Sequence, residues 1–257
     1  MKYIFNIFLC LFFIILATSC KTDSNLNHTN LYPDSSIAIK YQLDWQKKFY
    51  KDKIQEFKNS PIGFNKIVFL GNSITQGLRL HQKHINRKDI IIRGISGDYT
   101  DGVLARLEEI VFYKPKAVFL LIGVNDFFDD NRNRPDRTPN YVSNNIFKIA
   151  ETIKQHSPKT KVYIQTIIPI NNQQYLEDKP YVNFLWPQYS PSVNDQINET
   201  NQRIISNKNF DIIDLHSEFL SNDSQLDTKY STDGVHLNEL GYKNWINTIN
   251  PIINKIK

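Results

Sequence analysis

Lys66-Ile-Val-Phe-Leu-Gly-Asn-Ser-Ile-Thr-Gln-Gly77 is the stretch that decides the fold. Ile67 to Leu70 are apolar without alternation, as expected of a strand buried on both faces of a parallel sheet. The run halts at Gly71, and Asn72, Ser73 and Thr75 follow before Gly77. This places a hydroxyl at the carboxyl end of a strand, where open α/β sheets keep their ligand crevices. Read alone, Ser73 could equally be a helix cap.

Working outward, further buried strands are expected at Ile90–Arg93, Ala117–Ile122, Val162–Thr166 and Phe210–Asp214, with the first at Lys66–Leu70. Between them Val103-Leu104-Leu107-Ile110-Val111, Val142-Ile146-Ile149-Ile153 and, more loosely, Val193-Ile197-Ile204 carry helical spacing. A last helix runs from Leu240 to Ile253 and is expected to bend or stop near Pro251. Such alternation builds βαβ units, hence a three-layer α/β/α sandwich around a five-stranded, mainly parallel sheet. Ahead of it, Tyr41, Trp45 and Phe49, continued by Tyr50, Ile54 and Phe57, predict an amphipathic helix ending near Asn59-Ser60-Pro61. Its expected role is to cover a sheet edge or face.

The chain of 257 residues suffices for one sizeable core, and residues 37–257 read as a single domain. Residues 1–19 read as a secretory signal: Lys2, then an almost wholly apolar Ile4–Ala17, then small residues leading to Cys20. The apolar core is short beside the roughly 20 residues of a spanning helix. Residues 20–36 are polar and Asn/Ser-rich, a tether. Only Cys10 and Cys20 are cysteines, so cleavage before Cys20 leaves one thiol and no internal disulfide. The net charge of +5, or +4 without Lys2, is scattered among acidic residues, unlike the clustered footprint of a nucleic-acid binder.

Three further segments converge on the Ser73 edge. Ile91-Ile-Arg-Gly-Ile-Ser-Gly-Asp98 and Val118-Phe-Leu-Leu-Ile-Gly-Val-Asn-Asp126 each end a strand in small or amide-bearing residues. Thr232-Asp-Gly-Val-His-Leu237 sets Asp233 and His236 three residues apart before the last helix. A serine hydroxyl needs a base to attack at neutral pH; His236 can accept its proton, and Asp233 can fix the imidazole tautomer. Individually, Gly97 and Gly123 could be turn glycines and Asn125 a helix cap. His81 and His84 could share a helical face, but no third metal ligand is evident in the spacing, and neither metal nor cofactor is expected.

Together the four segments, in this order over about Ile67 to Gly241, resemble the SGNH hydrolases, the GDSL-type esterases and lipases. Arg93 to Asp98, with Asp101-Gly-Val-Leu-Ala-Arg106, is most similar to the platelet-activating-factor acetylhydrolase-like branch. Asn72 departs from the family's Gly-Asp-Ser, implying altered hydrogen bonding in the turn without loss of activity. The resemblance implies a flavodoxin-like fold, a Ser73–His236–Asp233 triad, and an oxyanion hole of the Ser73 and Gly97 amides with the Asn125 side chain. Tyr99 stands where that branch commonly has a threonine and is counted with the substrate-binding residues. The rings of the long loop Pro169–Pro191, namely Tyr175, Tyr181, Phe184, Trp186 and Tyr189, are expected to wall the substrate. The front end resembles a bacterial lipoprotein signal, with Ala17 in place of the usual leucine three residues ahead of a lipid-bearing Cys20.

The expected function is hydrolysis of small acyl esters, O-acetyl on glycans foremost, by an exported, membrane-tethered envelope protein. Lysophospholipase or thioesterase activity, acyl transfer to a sugar hydroxyl, and catalytically silent glycan binding are the competing readings.

Overall fold

The computed structural model describes residues 31–129 and 131–257. The proposed signal, Cys20 and most of the proposed tether lie outside the described residues. Five strands, β1 (Ile67–Gly71), β2 (Ile90–Gly94), β3 (Ala117–Leu121), β4 (Lys161–Gln165) and β5 (Asp211–Ile213), form one sheet in the order β2-β1-β3-β4-β5. Every pairing is parallel, with Ile67 opposite both Ile90 and Ala117. The order reverses direction between β1 and β3. The ligand crevice of such a sheet opens at that reversal, outside the carboxyl ends of its strands.

Strand periodicity divides the core in two. Val68, Leu70, Val118 and Leu120 face a layer containing α1 (Asp44–Asn59), α3 (Thr100–Leu104), α4 (Glu108–Tyr113), α5 (Pro139–His156) and α7 (Val193–Ser206). Ile67, Phe69, Ala117 and Phe119 face the opposite layer of α2 (Ser73–His81), α8 (Leu215–Phe219) and α9 (Glu239–Ile253). Phe69 stacks on Phe119 with centroids 4.9 Å apart, and Trp245 meets Phe69 edge-on. The remaining helix, α6 (Asn172–Asp178), lies in the long loop after β4.

Two expectations change on inspection. The helix expected across 103–111 is broken into α3 and α4, and Arg106, in the break, sends its guanidinium inward to strand-end carbonyls. Helix α9 ends at Ile253, as expected, with Pro251 in its last turn: a missing N–H so near the end costs one bond, and Asn254 N–H again donates to Asn250 O at 3.0 Å. On α1 the buried stripe is Gln46, Tyr50, Ile54 and Phe57, one position away from the Tyr41-Trp45-Phe49 series, and Trp45 is 56 % exposed.

β2 must approach the first turn of α2 closely. A Cβ at Gly94 would stand 2.2 Å from Gln76 N and 2.7 Å from Asn72 O, both backbone atoms that no rotamer change can move. Gly94→Ala should therefore destabilise the domain by about 1–3 kcal/mol, the usual range for overpacking. Chemical denaturation checks this, with a lowered midpoint at unchanged slope as the expected result.

Candidate active site

Ser73 opens α2 directly after β1, and its N–H, as the first of the helix, has no intrahelical acceptor. Asn72 caps the same helix, its Oδ1 accepting from Ile74 N–H at 3.1 Å. An amide oxygen thus fills the capping place a carboxylate would take, so this departure from the family's Gly-Asp-Ser leaves the turn capped.

His236 sits in the turn before α9, and its Nε2 lies 3.0 Å from Ser73 Oγ. Its Nδ1 lies 2.7 Å from Asp233 Oδ2. The other carboxylate oxygen, Oδ1, accepts from the backbone N–H of His236 (2.7 Å) and Val235 (3.0 Å), so one turn orients both members of the pair. Burial opposes the charge on Asp233, but the His236 ring and these two amides outweigh it and hold its carboxyl down at about 2. Gly234 between them lies at φ +86°, and a Cβ there would stand 2.4 Å from Asn171 O, so the turn seats tightly on the start of α6.

The donors expected for an oxyanion gather on the same side. Gly97 occupies the left-handed region at φ +74°, open to glycine at little cost. Asn125 follows β3, and its Nδ2 donates to Asp98 O at 2.9 Å, leaving its second amide hydrogen for a ligand. Ser73, Gly97, Asn125 and His236 all line a cavity of about 400 Å³. A second, more open cleft of about 650 Å³ reaches Ser73 and His236 from the other side, past Gln76, Arg79, His81 and Tyr242.

Of the expected substrate residues, Tyr99 and Tyr175 line the cavity. Phe184, Tyr181, Trp186 and Tyr189 are outside its lining, which corrects the reading of the whole loop as a substrate wall. Phe184 is the centre of a small core that pins the loop down: Phe128 stacks on it at 5.0 Å, Tyr175 lies tilted against it at 4.9 Å, and Tyr189 meets it edge-on at 5.2 Å. Tyr181 and Trp186 stand on the outer surface, 73 % and 41 % exposed.

Leu43, Trp45, Gln46, Ser96, Phe128, Arg134, Lys179 and Val235 complete the lining, none of them expected from the sequence to be site residues. For Trp45 a signal did exist, since it falls off the buried stripe of its own helix. Among the described residues no group of three or more His, Cys, Asp or Glu could hold a metal ion. None of their helices is long and apolar enough to cross a membrane.

Residues 69–243 match the model of the GDSL-like lipase/acylhydrolase family. Among solved structures, a GDSL-like lipase from Bacteroides thetaiotaomicron is 25 % identical, with a TM-score of 0.63 over 80 % of this chain and 97 % of its own. A protein from Streptococcus pneumonia, provisionally named a platelet activating factor, is 23 % identical with a TM-score of 0.63, over 81 % of this chain and 92 % of its own. An acetyl xylan esterase is 21 % identical with a TM-score of 0.56, over 73 % of this chain and 99 % of its own. The curated proteins give no match.

With its carboxyl held at about 2, Asp233 keeps its charge behind the His236 ring throughout pH about 5 to 8. Asp233→Asn should therefore slow labelling of Ser73 by a fluorophosphonate across that whole interval. A deficit that vanishes toward pH 5 would mean the carboxylate is not held as its contacts imply.

Proposed function

From the premise that this chain belongs to the GDSL-like lipase/acylhydrolase family and is an ester hydrolase, we propose that Ser73, His236 and Asp233 form its catalytic triad and that its substrates are small acyl esters, O-acetyl groups on carbohydrate foremost. The observation carrying the triad is the continuous array Asp233 Oδ2, His236 and Ser73 Oγ, with contacts of 2.7 and 3.0 Å, at the mouth of the cavity. The acetyl preference is supported by the acetyl-ester chemistry named for one structural relative. The proposed export and anchoring through Cys20 are supported by the apolar, small-residue pattern of residues 1–20.

The chemistry follows from the contacts. As Ser73 Oγ forms its bond to the ester carbonyl carbon, its proton passes to His236 Nε2, and the carbonyl π electrons move onto oxygen. Asp233 holds the Nδ1–H and offsets the imidazolium charge. The new oxyanion accepts from Ser73 N–H, Gly97 N–H and Asn125 Nδ2–H, donors already in place before charge develops. Collapse breaks the bond to the alcohol oxygen, which takes the proton from His236 and leaves an acyl-enzyme. Water then attacks with the same base and donors, releasing the acid and restoring Ser73. Loss of one oxyanion donor costs about 2.7–4 kcal/mol of barrier in comparable sites. Asn125→Ala would additionally release Asp98 O from its partner.

Ser73→Ala should abolish turnover of 4-nitrophenyl acetate and release of acetate from acetylated polysaccharide, with the fold intact. His236→Ala should cost a comparable factor, because members of a triad act as a unit. Either variant keeping most of its kcat, at unchanged circular dichroism, would end the triad assignment.

Cys20→Ser in the full chain should release the protein from membranes or block its processing, as fractionation and mass spectrometry of the N-terminus would read. A wild-type chain found wholly soluble with an unmodified N-terminus would refute the anchor. Several acyl chains are needed for stable anchoring, since one alone binds marginally.

A further inference from the structure

Helix α1 precedes the family-matched residues 69–243, yet it supplies part of the cavity wall through Trp45 and Gln46. Gln46 is only 6 % exposed, and three hydrogen bonds use its side chain. Its Oε1 accepts from Leu43 N–H at 2.7 Å, capping its own helix, and from Tyr99 Oη–H at 3.0 Å. Its Nε2 donates to Gly97 O at 3.0 Å. On the other side of the same turn, Ser96 N–H donates to Gln76 Oε1 at 3.0 Å. The Gly97 amide therefore lies between two peptides, each tied to a different helix by a glutamine.

The choice of residue is informative. Capping needs only an acceptor at this position, and glutamate would serve while also suiting the positive end of the helix. With a carboxyl ionised at neutral pH, an amide can accept those two bonds and still donate to Gly97 O, where a carboxylate cannot. Gly97 also needs a restraint, since glycine has the broadest backbone freedom of any residue and φ here is +74°. Trp45 covers the turn from outside: a Cβ on Gly97 would stand 2.8 Å from its Cη2.

We propose that Gln46 is a positioning residue for the oxyanion hole, so that α1, outside the family-matched segment, is a working part of the active site. The proposal rests on the esterase reading above. It requires that the bond to Gly97 O holds the Gly97 N–H at the angle the oxyanion needs.

Two variants of the full chain test it, Gln46→Glu and Gln46→Met, with 4-nitrophenyl acetate as substrate and hydrogen exchange across residues 94–99 as a readout independent of activity. Gln46→Glu keeps both acceptor bonds and loses the donor; Gln46→Met keeps the bulk and loses all three bonds. Both should lower kcat by about 10- to 100-fold with little change in KM, the scale expected of a misplaced catalytic group. The Glu variant's deficit against wild type should shrink as pH falls, because a protonated carboxyl can donate to Gly97 O again. The Met variant's deficit should not change with pH. Exchange over 94–99 should quicken in both at neutral pH.

Wild-type kcat in the Met variant, a loss confined to KM, or unchanged exchange over 94–99 would overturn the proposal. Wild-type protein no more active than Ser73→Ala would count against the esterase reading, and the exchange measurement would still decide whether Gln46 restrains the turn.

Discussion

The Arg106 guanidinium is the interaction on which the site depends. One nitrogen, Nη2, donates to Gly71 O and to the Asp98 carboxylate, at 3.0 and 2.9 Å, while Nη1 donates to Arg93 O at 3.0 Å. Gly71 ends the strand that presents Ser73, Arg93 lies at the end of the strand leading to Gly97, and Asp98 O receives the Asn125 side chain. A single planar cation thereby ties together the ends of β1 and β2 and the Asp98 loop, and through Asp98 the Asn125 side chain that follows β3. Arginine suits this role because its donors radiate in a fixed plane and remain charged when buried.

Such burial is expensive for charge. Arg106 and Asp98 are almost wholly enclosed, and burial pushes the Asp98 carboxyl up while Arg106 pulls it back. Nearby, Asp126 is likewise pushed up by burial and answered by Arg137 and by the N–H and hydroxyl of Thr100. A buried pair of this kind adds little stability over an apolar replacement, but removing one partner strands the other. Its contribution here is to geometry, in a crevice where β-strand ends would otherwise leave carbonyls without donors.

The parts written in local periodicity were legible in the sequence. Unbroken runs such as Val118 to Ile122 mark strands enclosed on both faces, and Ser73, Gly97, Asn125, Asp233 and His236 stand at strand ends or in a turn. What escaped was decided by partners distant in the chain. Tyr41, Trp45 and Phe49 have helical spacing, but Gln46 takes the buried face because Gly97 and Tyr99 offer it bonds more than fifty residues away. The loop rings look alike in sequence; Phe184 turns inward because Phe128, on a different loop, supplies a surface for it. The break at Arg106 is invisible to helix periodicity, because its cause is a set of strand-end carbonyls.

Ser73 stands where two spaces meet, the cavity lined by the Tyr99 and Tyr175 rings and the more open cleft along Gln76 and Arg79. A ligand lying across both would have its two halves bounded differently, by aromatic faces on one side and by an open, polar shoulder on the other.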